Sequence, residues 1–332
     1  MHANRTTAAP ADHGCADPAK RPARPGQPGR ARGGPKPGKA ARLQFRQRPS
    51  AWPGREEPDV TSSSPEATNP AATIESLFSV AGKVAVVTGG SRGIGEMIAA
   101  GLVKAGCRVY ITARKQEACD ATAKQLSAYG ECISAPANLG GHEGVVQFAD
   151  FLAEREDKLH ILVNNAGATW GAPKEEYPLE AFDKVWNINV KAPFDLTVRC
   201  LPLLRAAASP EDPARVINIG SIDGLTTSAV EHYAYSSSKA GVHMLTRHLA
   251  RELAPEAITV NAIAPGPFRS KMMAWALDDP EARAGVAARV PLGRIGDPDD
   301  VAGATIYLAS RAGRYLTGVV IPVDGGITNN GR

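Results

Sequence analysis

The sequence holds only five cysteines in 332 residues, at positions 15, 107, 119, 132 and 200, and no CxxC pair among them. An odd, scattered set offers neither a disulfide framework nor a thiolate metal site, and points to a reducing, cytoplasmic compartment. The seven histidines show no HExxH or comparable ligand spacing. His243 and His248 fall in a helical stretch and read as ordinary helix residues, so no metal site is expected. No apolar run approaches the ~18 residues that a membrane span requires. The first 75 or so residues have almost no Ile, Leu or Val and are rich in Pro, Gly, Ala and Arg. Such a segment buries too little apolar surface to offset the entropy of ordering, so residues 1–75 are expected to be a disordered extension. The extension lacks the apolar core of a secretion signal. Prolines at 22, 25, 28, 35 and 37 oppose the amphipathic helix of a transit peptide. It reads as a passive tail or an upstream-extended reading frame, and no function is assigned to it.

Charge is also unevenly placed. Residues 1–55 hold twelve Lys/Arg against Asp12 and Asp17, a balance of +10 within a whole-chain charge of +4, so the body carries −6. An acidic body gives no reason to expect a nucleic-acid partner. With 43% hydrophobic and 22% charged residues, the composition is globular, and the chain can bury a sizeable core.

What the sequence does have is a strand running into a glycine cluster, Lys83-Val84-Ala85-Val86-Val87-Thr88-Gly89-Gly90-Ser91-Arg92-Gly93-Ile94-Gly95. Val84–Val87 shows no polar alternation, as expected of a strand buried on both faces of a parallel sheet. Ile94, Met97, Ile98, Gly101, Leu102 and Ala105 then recur at helical spacing up to Gly106. Strand, glycine turn and helix deliver a helix N-terminus to a phosphate, and Gly89, Gly93 and Gly95 leave no side chain in its way.

Strands and helices alternate from there on. Strands are expected at Arg108–Thr112, Glu131–Pro136, His160–Asn164, Arg215–Ile219, Ile258–Ala264 and Val319–Val323. Helices are expected at Lys115–Tyr129, His142–Glu154, Leu179–Arg205, Tyr235–Leu253 and Asp300–Leu308. This alternation predicts an α/β fold, with one doubly wound, parallel, seven-stranded sheet of Rossmann type over residues 76–332.

An NAD site uses an acid about 20 residues past the glycines to bind the ribose 2′-hydroxyl. The second strand ends instead in Thr112-Ala113-Arg114-Lys115. Arg92 in the glycine loop and Arg114 could together hold a 2′-phosphate, which predicts NADPH. Tyr235 and Lys239 form Tyr-x-x-x-Lys on one helix face. A nearby ammonium favours the phenolate and should lower the tyrosine's high pKa. Ser221 follows the fifth strand directly, at the strand end where an α/β sheet places its ligands, and can meet Tyr235 over one carbonyl.

TGGSRGIG (88–95), NNAG (164–167), NINV with Asn189, Ser221, YSSSK (235–239) and PG (265–266) stand in the order and spacing of the short-chain dehydrogenase/reductase family, which residues 76–326 resemble. The resemblance implies Tyr235 as proton donor in reduction. Lys239 would lower its pKa and bind the nicotinamide ribose, Ser221 would hold the substrate oxygen, and Asn189 would position a relay water. It also implies cofactor contacts at Gly89, Ser91, Arg92, Gly93, Ile94, Gly95, Arg114, Asn165, Ala166, Gly167, Pro265 and Gly266, with Thr88 bracing the sheet. The pattern departs from the family at two places. Asn138, before Leu139, replaces the usual adenine-binding Asp, and Ser270 replaces Thr near the nicotinamide. SAYG (127–130), NNAGATWG (164–171), PARVINIGS (213–221) and YAYSSSKA (233–240) are similar to 3-oxoacyl reductases of the rhamnolipid-associated kind.

The expected substrate is therefore a small-molecule carbonyl, in particular an acyl one, under a mobile lid at 267–290 lined by Met272, Met273, Trp275 and Leu277. Acids in Ser209-Pro210-Glu211-Asp212 and Pro255-Glu256-Ala257 would repel an acidic carrier protein, which favours CoA-linked or free 3-oxo substrates. A sugar acid, steroid or small ketone is the alternative substrate class, and a non-catalytic NADP(H) sensor the alternative function. The resemblance further implies a homotetramer built through Leu179–Arg205, Tyr235–Leu253 and the last strand.

Overall fold

The structure is a computed structural model and describes residues 73–228 and 230–329. The expected disorder of residues 1–72 lies outside the described residues. From Thr73 on, the order is α1 (Ile74–Phe78), β1 (Val84–Thr88), α2 (Gly93–Lys104), β2 (Arg108–Thr112), α3 (Gln116–Leu126), β3 (Cys132–Ser134), α4 (His142–Ala153) and β4 (Ile161–Asn164). Then come α5 (Leu179–Trp186), α6 (Ala192–Arg199), α7 (Leu201–Ala207), β5 (Ala214–Ile219), α8 (Tyr233–Leu253), β6 (Ile258–Pro265), α9 (Ala274–Leu277), α10 (Pro280–Ala287), α11 (Pro298–Ala309) and β7 (Val320–Val323).

The strands form one parallel sheet in the order β3-β2-β1-β4-β5-β6-β7. All five residues of β1 are buried, and alternate ones face opposite cores. Ala85 and Val87 join Ile98, Leu102, Ile111, Ile217 and Leu308 on the α2 and α11 side. Val84 and Val86 join Phe148, Leu152, Leu196, Val216 and Leu253 on the side of α4, α6 and α8. The unbroken apolar run of β1 therefore follows from its position between two helix layers.

The long helix expected over Leu179–Arg205 is interrupted. A π-turn at Asn187–Lys191 separates α5 from α6, and α6 stops at Cys200. Pro193, four residues past Asn189, has no N–H, so the Asn189 carbonyl has no α-helical donor. Pro202 sits in the first turn of α7 in the same way.

The sheet's lower edge is closed by charge. Arg215, at the start of β5, is fully buried. Its guanidinium donates to the carbonyls of Leu308 (3.1 Å) and Ser310 (3.0 Å) and to Asp212 Oδ1 (3.1 Å). Lys83 Nζ reaches the same carboxylate at 2.8 Å and the Ala309 carbonyl at 3.3 Å. Two cations thus satisfy the carbonyls at the C-terminus of α11, which have no partner within their own helix.

This placement corrects the expectation about carrier repulsion. The loops at 209–212 and 255–257 precede β5 and β6, so they lie at the N-terminal end of a parallel sheet. Asp212 is paired as described, and Glu256 is held by Arg205 at 2.6 and 3.1 Å. These acids are remote from the strand ends that carry Ser221 and are largely neutralised, so they give no ground for excluding a carrier protein. Replacing Arg215 with Met should uncap α11 and lower stability by about 2–4 kcal/mol in urea unfolding of the full chain.

Candidate active site

A doubly wound sheet opens a crevice where the strand order reverses, here between β1 and β4. Thr88 Oγ1 accepts the N–H groups of Asn165 and Ala166, each at 2.9 Å. Asn165 Nδ2 donates back to the Thr88 carbonyl at 2.7 Å and to that of Gly89 at 3.3 Å. Gly89 turns the chain with φ 67°. A Cβ on Gly95 would collide with Asn165 Nδ2 and the Gly89 carbonyl, so Gly95 serves the packing of α2 onto this knot.

Arg92 supplies no side-chain cap to α2, whose first-turn N–H groups stay free of a side-chain acceptor. Ser270 lies directly opposite Gly93, where a Cβ would meet it at 3.1 Å. Arg92 and Arg114 are exposed at the ends of the glycine turn and of β2, next to Ser91. Gly90 N donates to the Thr112 carbonyl at 3.1 Å, which brings these two segments together. Leu139 is buried beside the exposed Asn138, whose Oδ1 accepts from Gly140 N at 3.3 Å. Pro265 ends β6, and Gly266 packs against Asp324. Ile94, in the first turn of α2, is half-buried against the core. The residues expected at the cofactor site thus lie along the C-terminal strand ends, from β2 across β1 and β4 to the end of β6. The bare helix terminus and two guanidiniums fit a phosphorylated dinucleotide.

The remaining groups meet at the end of β5. Asn164 Nδ2 donates to Asn218 Oδ1 (2.9 Å), and Asn218 Nδ2 to Thr246 Oγ1 (2.9 Å), a buried chain that binds β4, β5 and α8 together. Asn189 is buried, and its side chain is fully used: Oδ1 accepts from Ala168 N (2.9 Å), while Nδ2 donates to Ala168 O (3.0 Å) and Ser238 Oγ (2.9 Å). Lys239 is buried, with Nζ donating to the Ile219 carbonyl at 2.7 Å and standing 5.5 Å from the Tyr235 ring centroid. Gly167 lies over both, since a Cβ there would come 3.1 Å from Asn189 Oδ1 and 3.8 Å from Lys239 Nζ. The Ser221 side chain faces the Tyr235 hydroxyl and favours its ionised form. Ser221, Tyr235, Lys239 and Asn189 are therefore brought together as expected.

The electrostatics differ from expectation. Tyr235 is half-buried as a residue, but its hydroxyl sits deep, and burial pushes it up to about 12, against the lowering effect of Ser221. Burial pushes Lys239 down to about 8. The net direction is therefore opposite to the expected lowering: burial dominates at Tyr235, and the Lys239 ammonium donates to the Ile219 carbonyl and not to the phenol. One turn further along α8, burial and then the Lys239 charge push His243 down to about 4, so it is neutral at physiological pH.

Several contributors escaped the motif reading. Ser238 is one of three serines in YSSSK, and only its position on the buried helix face marks it as the partner of Asn189. Asp223 and His232 flank Tyr235 from neither a motif nor a periodic position. His232 Nε2 stands 3.2 Å from Asp223 Oδ2, and its ring lies 5.1 Å from that of Tyr235. An aromatic wall stands beside them: Tyr177 packs on Tyr233 at 5.5 Å, and its hydroxyl donates to the Trp170 carbonyl at 3.1 Å. In the segment expected as a lid, Leu277 is fully buried in the body, Met272 is exposed and Met273 is half-buried. The side chain of Trp275 lies outside the described residues. The lid thus includes one inward-packed anchor, not a continuous apolar lining.

Comparison with known proteins agrees with this architecture. A family model described as enoyl-(acyl carrier protein) reductase matches residues 89–328. The rhamnolipids biosynthesis 3-oxoacyl-[acyl-carrier-protein] reductase of Pseudomonas aeruginosa is 52% identical over 75% of this chain and 97% of its own. The NADP active-site complex of Pseudomonas aeruginosa RhlG superposes with a TM-score of 0.75 at 51% identity, covering 76% of this chain and 99% of that one. A gluconate 5-dehydrogenase of Burkholderia cenocepacia, in complex with NADP and tartrate, superposes with a TM-score of 0.71 at 28% identity over 77% and 99% of the two chains. With its motifs, sheet order and relatives in agreement, the chain belongs to the short-chain dehydrogenase/reductase family.

Proposed function

We propose that this protein is an NADPH-dependent reductase of 3-oxoacyl groups. The observation that carries the reading is the facing pair of hydroxyls, Ser221 and Tyr235, at the end of β5 beside buried Lys239. Two hydroxyls within reach of one point suit a carbonyl oxygen, whereas reduction of an enoyl double bond ends with a proton on carbon. The relative that is 52% identical acts on 3-oxoacyl groups by its name. Exposed apolar surface next to Tyr235, including Trp170 (50% exposed) and Tyr233 (41%), suits an acyl chain better than a sugar acid.

In this reading, Arg92 and Arg114 hold the 2′-phosphate and the α2 N-terminus faces the pyrophosphate. Asn138 and Leu139 border the adenine, and Lys239 reaches the nicotinamide ribose. Ser91, Asn165, Ala166, Gly167, Pro265, Gly266 and Ser270 line the remainder. The nicotinamide, when bound, supplies the hydride. Ser221 orients the substrate oxygen by a hydrogen bond, and Tyr235 gives that oxygen its proton. Lys239, buried beside Tyr235, would hold the nicotinamide ribose and stabilise the charge left on Tyr235. Since the Asn189 side chain is occupied, its backbone carbonyl is the group that holds a relay water. The four buried, unpaired thiols of the described body fit a reducing cytoplasm. Exposed apolar residues on the expected contact helices, Leu179 (75%), Phe194 (47%) and Met244 (59%), support a homotetramer.

Four outcomes test this reading. Tyr235→Phe should lower kcat on acetoacetyl-CoA by about 10²–10⁴-fold while NADPH binding, followed by nucleotide fluorescence, is kept. Wild-type enzyme inactive on every 3-oxoacyl thioester but active on gluconate or steroids would move the assignment to the alternative substrates. Changing Arg92 and Arg114 together to Ser should cost about 10–100-fold in kcat/KM with NADPH and little with NADH. Light scattering of the full chain should give four times the monomer mass.

A further inference from the structure

Asp223 and His232 are unused by the reading above, yet they stand against its proton donor. Asp223 lies in the 3-10 turn Ile222–Gly224, and its backbone N–H donates to Ser221 Oγ at 3.1 Å. Its carboxylate is therefore fixed to the segment that carries the substrate-orienting hydroxyl. His232 precedes α8 and accepts the N–H groups of Tyr235 (2.9 Å) and Ser236 (3.1 Å) on its carbonyl. Its ring is tilted 51° to the Tyr235 ring at 5.1 Å. The two side chains are 13% and 21% exposed, and Nε2 approaches Oδ2 to 3.2 Å. That nitrogen is buried and off the line that a hydrogen bond needs. A neutral imidazole there leaves a buried ring nitrogen unsatisfied, whereas a protonated one gains an ion pair.

The surroundings leave this couple electrostatically prominent. The 3-10 turn contributes Asp223, and β5 ends in the neutral Ser221. From α8 come Tyr233, Tyr235 and Lys239, with neutral His243 one turn beyond. The loop after β4 contributes the Tyr177 hydroxyl, 3.4 Å from Ala234 N, and Glu231 beside it is exposed. The Asp223 carboxylate acts on both catalytic groups, opposing ionisation of Tyr235 and favouring the ammonium of Lys239.

We propose that the Asp223–His232 couple sets the acidity of Tyr235: the carboxylate restrains loss of its proton, and the imidazolium of His232, when formed, lifts that restraint. Both are positioning residues that act through Tyr235. The inference rests on Tyr235 being the proton donor. It gives the site an electrostatic control separate from Lys239.

The direct test titrates Tyr235 without turnover. The tyrosinate absorbance difference between wild type and Tyr235→Phe gives the Tyr235 midpoint, and the same difference in an Asp223→Asn background gives the tuned one. Asp223→Asn should move that midpoint down by about one pH unit, roughly a tenfold change in phenolate population at fixed pH. Coincident midpoints would overturn the inference. Kinetics supply the second arm. With acetoacetyl-CoA and NADPH at one fixed pH, the uncharged His232→Gln variant should turn over more slowly than the permanently charged His232→Arg variant, about three- to tenfold apart. Equal kcat in these two variants would also overturn it. Asp223→Glu should restore the wild-type midpoint, which simple loss of folding would not allow. Retained turnover in Tyr235→Phe would instead sink the assignment of Tyr235 as donor, and the absorbance titration separates that failure from this one.

Discussion

The knot between Thr88 and Asn165 is the constraint on which the rest of the molecule depends. β1 and β4 are neighbours in the sheet, but their chains must depart to opposite sides at their ends, since the strand order reverses between them. One hydroxyl and one carboxamide hold the two departures together through four N–H···O bonds of 2.7 to 3.3 Å. With that point fixed, Gly89 can turn, Gly95 can lie flat on the knot, and α2 begins where its bare N–H groups face the crevice. A bulkier residue at position 95 would strike the knot itself. The dinucleotide cradle is therefore less a property of the glycines than of the clamp they fold around.

A second layer of buried polar contacts places the reacting side. Asn164, Asn218 and Thr246 run as a chain through the core, and Asn189 and Ser238 tie the π-turn to α8. Buried amides are costly unless satisfied, so each link allows few alternative positions for its neighbours. The result is a helix whose Tyr235 and Lys239 are fixed to within the reach of Ser221. The same burial works against the chemistry, since it raises the tyrosine and lowers the lysine. The isolated chain holds a donor that is reluctant to ionise and an ammonium directed elsewhere. In the proposed reading these charges have to be rebalanced by bound nucleotide and substrate, and the Asp223–His232 couple stands beside Tyr235 where that would be felt.

The seven strands, their alternation with helices and the doubly wound parallel class could be read from sequence because apolar runs, glycine stops and strand–helix alternation are local signals. Ser221, Tyr235, Lys239 and Asn189 were readable because they occupy fixed spacings. Three kinds of information were not. The break in the 179–205 helix comes from the side-chain bonds of Asn189 and from Pro193 acting four residues away, and helical periodicity runs through both. The pKa values of Tyr235 and Lys239 depend on depth and on which acceptor the ammonium chooses, which spacing does not encode. The acids near residues 211 and 256 looked close to the site because they adjoin β5 and β6. In a parallel sheet, the two ends of one strand belong to opposite faces of the molecule, and that distinction exists only after folding.

The cysteines described as buried and unpaired have another consequence. Burial pushes Cys107 and Cys200 up to about 12 and Cys132 to about 11. A thiol that stays protonated is a poor nucleophile, and one without solvent contact meets no oxidant. In the folded body these sulfurs are chemically silent, and they become reactive only when the sheet opens. Their rate of alkylation by an added thiol reagent then reports opening of the sheet without an engineered label, and a nucleotide that binds only the folded body should slow it.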